Sequence, residues 1–497
     1  MLFSARSLRR FTSVSQLVAY AVVLILLPAC GPVVFSDKAK EESKRISCDI
    51  DPAQADTLNS TAINLFIDGT PSMAGYTAQP NSLYVQTLKQ LDSTLATGGN
   101  KPLSRDPNFY RLGKTASGDA FEKISRQQSR DAQLNKFYGG AGYESLAVSQ
   151  IDSAVLPLNE GNELTVIVTD LYQANDDITA ISSQIKKHHF SSASSNPTVG
   201  VVGFLGEFNG PVYVEEISGT RKFDWDQKHP FYVILIGQQS DVEYYTSQII
   251  DKLSPGEENV KATIFSPKLA YESALVLNIF KNNQALKERL EERPLEGDPT
   301  LAALLNTLTV PAISMKQGSV VAEVYQSPIQ MIELLGSGQK PISLPSEAAI
   351  EQTSPYTLGI DIEEQKLSAQ MSPYTFNSNE ATILASEDTV LASAVSIDDW
   401  KLAKGSLSFA ANIDASKIQT PGIYLYKAAI TVNSKVGSTL QPLPEAWDAW
   451  DAPIGSSDGA RTVNLLPFLR ELKSLTEQTI QNDPPVLGQL CYLIQKN

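Results

Sequence analysis

Two short apolar runs, each ending on an aspartate, constrain this chain more than any other feature. Ile63 to Ile67 stops at Asp68, and Leu164 to Val168 stops at Thr169-Asp170. An unbroken apolar run of that length suits a strand buried on both faces, the usual habit of parallel sheets. Elsewhere the apolar residues switch to helical spacing, at Tyr84, Leu88, Leu91 and Leu95, then Leu146, Ile151 and Val155, then Ile178, Ile181 and Ile185. Val199 to Leu205 and Phe231 to Ile236 read as further strands, and a helix from about Asp241 to Leu253 closes the set. Alternating strands and helices predict an α/β unit with a mainly parallel sheet covered on both faces. Right-handed crossovers bring the loops after Asp68 and Asp170 to one edge of that sheet. Open α/β sheets bind ligands along that edge.

The first of those loops reads Asp68-Gly69-Thr70-Pro71-Ser72. One carboxylate and two hydroxyls, each two residues apart, can all point at one ion. A small set of oxygen ligands completed by water suits Mg²⁺, with Mn²⁺ as the alternative. Asp170 holds the equivalent place after its own strand. The stretch LFIDGTPSMAGY resembles the Asp-x-Ser-x-Ser motif of the von Willebrand factor A domain, with Thr70 in place of the first serine. VIVTDLYQ is similar to the family's later strand, which ends at Asp170. The resemblance covers residues 58–255 and implies a Rossmann-like fold. It also implies a metal site built from Asp68, Thr70, Ser72 and Asp170. The family draws one more hydroxyl from a glycine-containing loop, here aligned with Gly139 to Ser145. No threonine stands there, so the alignment leaves two outcomes: Ser145 as the ligand, or Tyr143 at the position and the ligand lost. By the same resemblance, the ion keeps an open position that an acidic side chain of a partner protein fills.

The chain has 497 residues, too many for one core. We divide it into residues 58–255, a mixed connector at 256–310 that is helical around Ala285 to Glu292, a β-rich domain at 311–440, and a C-terminal segment with a helix at 441–497. In the β-rich part, Gly318 to Tyr325, Tyr356 to Ile362, Ser406 to Ile413 and Ile423 to Val432 read as strands, and Pro421-Gly422 marks a turn. An antiparallel, sandwich-like arrangement follows from that pattern. The last stretch carries Trp447 and Trp450, read as core or as a docking surface, and a helix from Leu465 to Ile480. The formal net charge of −15 argues against nucleic acid as a partner.

The first thirty residues carry Arg6, Arg9 and Arg10, an apolar run from Leu17 to Leu27, and then Leu27-Pro28-Ala29-Cys30-Gly31. The apolar run is short for a spanning helix and fits a signal peptide at 1–30. The residues around Cys30 resemble a bacterial lipobox, which implies diacylation of Cys30 and stable membrane attachment. The polar stretch 31–57 then reads as a linker. The expected place is the cell membrane or the outer membrane, lipid-anchored and facing the periplasm or the exterior. In an oxidising compartment, Cys48 and Cys491 form a disulfide or stay as two buried thiols.

Catalysis finds little support. His188, His189 and His229 are the three histidines, and no nucleophile, zinc or phosphate-loop motif accompanies them. The expectation is therefore a non-enzymatic, membrane-tethered lipoprotein that binds a protein partner through Mg²⁺. The alternatives are a metal-dependent hydrolase on the same strand ends, and an envelope lipoprotein whose α/β domain is only a scaffold. Three other clusters read as structural. Glu207 to Gly210 is a turn at the rim, Asp224-Trp225-Asp226 a packed loop, and Asp176-Asp177 the first turn of a helix.

Overall fold

The computed structural model describes residues 62–97, 106–158, 163–172, 178–190, 198–216, 219–267, 271–272 and, with short gaps, 312–496. The leader with Cys30, the linker with Cys48, Asp176-Asp177 and the helix expected around Ala285 to Glu292 lie outside the described residues, and so does any Cys48–Cys491 bridge. Among the described residues, no helix is long and apolar enough to cross a membrane.

The α/β part is built on nine strands. They are β1 (Ala62–Asp68), β2 (Asn108–Leu112), β3 (Phe121–Ile124), β4 (Glu163–Thr169), β5 (Thr198–Glu207), β6 (Gly210–Glu216), β7 (Gly219–Trp225), β8 (Lys228–Gly237) and β9 (Val260–Phe265). The longer helices beside them are α1 (Leu83–Thr97), α2 (Ile178–Ile185) and α3 (Gln239–Leu253). Seven of the strands form one sheet in the order β3-β2-β1-β4-β8-β5-β9. The expected parallel arrangement holds at β2-β1-β4 and gives way beyond it. β4 and β8, β8 and β5, and β5 and β9 all pair antiparallel, as do β2 and β3. The reason lies between β5 and β8. Parallel neighbours need a long crossover. Here the connection is the β6–β7 hairpin, which turns the chain straight back. Leu146, Ile151 and Val155 also yield less than expected, a single helical turn at Ile151–Ala154.

Side chains on a strand alternate between faces, and the two faces of this sheet feed two clusters. Ile63, Leu65, Ile67, Leu164, Val166 and Val168 pack with Tyr84, Leu88, Leu91 and Leu95 of α1 and Val242, Tyr245 and Ile249 of α3. Phe66, Ile167, Val201, Tyr232 and Ile234 face the other way, toward Ile181 and Ile185 of α2. That second face is completed from far along the chain. Trp447 and Trp450, both buried, lie over β5 and β9, and Trp447 Nε1 donates to Thr263 Oγ1 at 2.9 Å. Gly203 of β5 makes room for them: a Cβ there would meet Trp450 at 2.8 Å and Trp447 at 3.1 Å. Lys261 Nζ sits 4.4 Å from the Trp450 ring centroid, a cation–π contact. The α/β sheet therefore extends past residue 255 and takes its cover from the C-terminal segment.

The β-rich part has strands β10 (Ala312–Gln317), β11 (Val320–Tyr325), β12 (Ile329–Leu334), β13 (Ile342–Ala349), β14 (Leu367–Asn377), β15 (Thr382–Ala385), β16 (Val395–Ala403), β17 (Ser406–Ile413) and β18 (Gly422–Val432). Helix α4 (Leu465–Asn482) and the last strand, β19 (Val486–Lys496), follow. One sheet runs β10-β11-β12-β19-β18-β14-β15 and a smaller one β13-β17-β16. All pairings are antiparallel except β12 with β19. Tyr424, Tyr426, Ala428 and Ile430 of one sheet share a cluster with Val395, Ile397, Phe409 and Ala411 of the other. Of the span expected from Tyr356 to Ile362, residues 356–361 form no regular strand, and Ile362 lies outside the described residues. Thr357 bridges to Ile264 beside β9, and Ile360 bridges to Leu440.

Helix α4 belongs with the α/β part. Its buried stripe of Leu465, Phe468, Leu469 and Leu472 joins the same cluster as α2 and the second sheet face. The chain then returns to lay β19 between β12 and β18.

Candidate metal centre

Parallel register sets the site. Ile67 lies opposite Val168 across β1 and β4, and Asp68 lies opposite Leu112 across β1 and β2. Asp68 and Asp170 therefore leave the sheet on the same edge. Asp68, Thr70, Ser72 and Asp170 are all buried.

Asp68 is the hub. Its Oδ1 accepts from the Thr70 amide at 3.0 Å and the Thr70 hydroxyl at 2.7 Å. Its Oδ2 accepts from Ser149 Oγ at 2.8 Å and Thr169 Oγ1 at 2.9 Å. Thr70 and Ser72 hydroxyls lie 3.2 Å apart, and Ser72 also hydrogen-bonds Asp170. The Tyr172 amide donates to Asp170 Oδ1 at 2.9 Å, and the Leu171 amide to Thr169 Oγ1 at 3.1 Å. Leu171 pays for this wrapping with a left-handed backbone (φ 62°). Such a conformation in a non-glycine residue stores on the order of 1 kcal/mol and tends to collect at functional sites.

Among the described residues, no basic side chain pairs with either carboxylate. Burial raises both carboxyls, and hydrogen bonds from Thr70, Ser149 and Thr169 partly offset it at Asp68. Asp170 is pushed up to about 7, first by burial and then by the Asp68 charge. Their hydrogen bonds come from hydroxyls and amides. The guanidinium of Arg111 hydrogen-bonds the carbonyls of Gly69, Phe137 and Glu144. Two buried like charges without a cation resist ionising together. A divalent cation would offset that repulsion, and a donor set of two carboxylates and several hydroxyls is of the all-oxygen kind that Mg²⁺ takes. Among the described residues, no group of three or more His, Cys, Asp or Glu side chains converges. A resident ion would thus lean on hydroxyls.

The third loop corrects the sequence reading. Ser145 is exposed and lies beside Gly139. Ser149, four residues on and buried, is the hydroxyl that reaches Asp68. Tyr143 turns away, with its phenol on Asp131 at 2.9 Å. The loop's path decides this. Leu146 is buried where it would meet a Cβ on Gly69 or Gly113, and the Lys114 amide holds Val148 O at 2.9 Å. Neither contact has a signal in local spacing. Thr169, Ser149 and Arg111 were all missed; a hydroxyl just before the strand-end Asp170 was the one available hint.

The rim residues make contacts within the fold. Glu207 accepts from the Leu83 amide at 2.8 Å, at the start of α1, where a carboxylate is favoured. Phe208 and the Asn209 amide seat on Gly75, whose carbonyl accepts at 3.0 Å. A Cβ at Gly75 would meet the Phe208 ring at 2.5 Å. Gly75→Ala is therefore expected to cost about 1–3 kcal/mol through overpacking, read as a lowered thermal midpoint. Asp224 and Trp225 close strand β7 rather than forming a loop, and the Trp225 indole donates to Lys228 O at 3.0 Å.

No family model, no curated protein and no solved structure matches this chain.

Proposed function

We propose that the α/β part is a von Willebrand factor A-type domain whose strand-end site takes Mg²⁺ and engages a protein partner. The chain carrying it is tethered outside the cytoplasmic membrane through a lipidated Cys30. The observation that supports the ion is the burial of Asp68 and Asp170 together, on parallel strand ends, among four hydroxyls and with no ion pair to either carboxylate among the described residues. Asp68, Asp170, Thr70, Ser72 and Ser149 would hold it, directly or through water. When bound, Mg²⁺ supplies a Lewis-acidic position that one acidic side chain of the partner completes. The chain's own part is to present few charged ligands and many neutral ones, which leaves the cation electrophilic.

One observation favours the scaffold reading instead. Asp68 already accepts four hydrogen bonds and needs no ion to satisfy its lone pairs. Calorimetric titration of Mg²⁺ and Mn²⁺ into the chain lacking residues 1–30 separates the two. Binding in the low-millimolar range or tighter, absent in Asp68→Ala, is the expected result. A wild-type protein that gives no heat with either ion leaves the scaffold reading standing.

A further inference from the structure

Arg111 stands on β2 beside Ile67 of β1 and is 1% exposed. Arginine is rarely so deep without a carboxylate partner. Here Nε donates to Phe137 O at 3.1 Å, and one terminal nitrogen donates to Gly69 O at 3.3 Å and Glu144 O at 2.6 Å. The guanidinium carbon also lies 5.2 Å from the Phe137 ring centroid and 5.3 Å from that of Tyr143. Gly69 belongs to the Asp68 loop. Phe137 and Glu144 bracket the glycine-rich loop that leads into Ser149. The fork thus joins the two loops that supply hydroxyls to Asp68, and Leu146 fills the space between them.

We infer that Arg111 is the positioning residue of the ion site: it ties the Phe137–Glu144 loop to Gly69 and thereby holds the Ser149 hydroxyl on Asp68. This rests on the ion-binding reading given above. A planar guanidinium can span divergent carbonyls; a lysine ammonium on a flexible stem cannot reproduce that fork. Groups that orient metal ligands from behind typically change affinity by about 10- to 100-fold when altered.

The test is a double-mutant cycle on Mg²⁺ affinity, measured by calorimetry on the chain lacking residues 1–30, with Arg111→Lys, Ser149→Ala and the double variant. If Arg111 acts through Ser149, each single change weakens Mg²⁺ about tenfold. The double variant is then no weaker than about tenfold, because the second change removes nothing further. An Arg111→Lys protein that binds like wild type, or a double variant weakened by the product of the two factors, overturns the inference while the ion site stands. A wild-type chain that binds no Mg²⁺ removes both. Should circular dichroism show Arg111→Lys unfolded, Leu146→Ala takes its place in the same cycle. Additivity with Ser149→Ala there overturns the loop-positioning argument as well.

Discussion

Asp170→Asn is expected to make the ion-free protein more stable at pH 8, by as much as about 4 kcal/mol. The sign follows from the proton. The folded-state value of Asp170 is raised from 3.8 to about 7. Between those values, the folded chain holds a proton that the unfolded chain has released. Ion-free stability therefore falls as pH rises from about 4 to about 7, and stays low above that. Asparagine never ionises and keeps an oxygen for the Tyr172 amide, so it escapes the loss. The benefit should shrink to nothing below about pH 3, where the aspartate is protonated in both states. Denaturant midpoints in chelator at several pH values test this. Midpoints that do not vary with pH, or a variant less stable than wild type at pH 8, would count against two uncompensated buried charges. In saturating Mg²⁺ the difference should narrow. A ligand at about 100 times its dissociation constant adds roughly 2.7 kcal/mol to the wild type alone. Stability given up in the empty state and regained with ligand is the mark of a site, whereas a structural cap would lose stability in both conditions.

The second large effect lies at the other end of the chain. Ending the protein at Pro484 removes β19, and the β-rich part is expected to lose its folded state. β19 pairs with β12 on one side and β18 on the other. Its Tyr492 and Ile494 are wholly buried. Removing large core side chains costs about 2–5 kcal/mol each, and two strands would gain open edges besides. A domain with about 5–15 kcal/mol to lose does not survive that. Helix α4 ends before the cut, so the α/β part keeps its cover. Limited proteolysis should show residues 312–432 becoming labile while the α/β part stays protected. A truncated chain with wild-type resistance throughout would refute the topology.

Much of this was legible in the residues alone. Unbroken apolar runs ending in Asp68 and Asp170 gave the two strands that carry the carboxylates, because burial on both faces demands apolar side chains and the strand end releases the first polar one. Helical spacing located α1, α2, α3 and α4, and period-two alternation from Tyr424 to Val432 located β18. These are local patterns. What depended on long-range contact was not legible. The β6–β7 excursion turned β8 and β9 against β4 and β5, and Trp447, Trp450 and α4 covered a sheet built far earlier in the chain. β19 entered the middle of another. Ser145 and Ser149 look equivalent in sequence, since both are serines in one polar loop. Only the tertiary structure chose between them, because the Arg111 fork and the Leu146 packing set the loop's path, and that path is a balance of contacts from β2, the Asp68 loop and the glycine-rich turn that no stretch of sequence contains by itself.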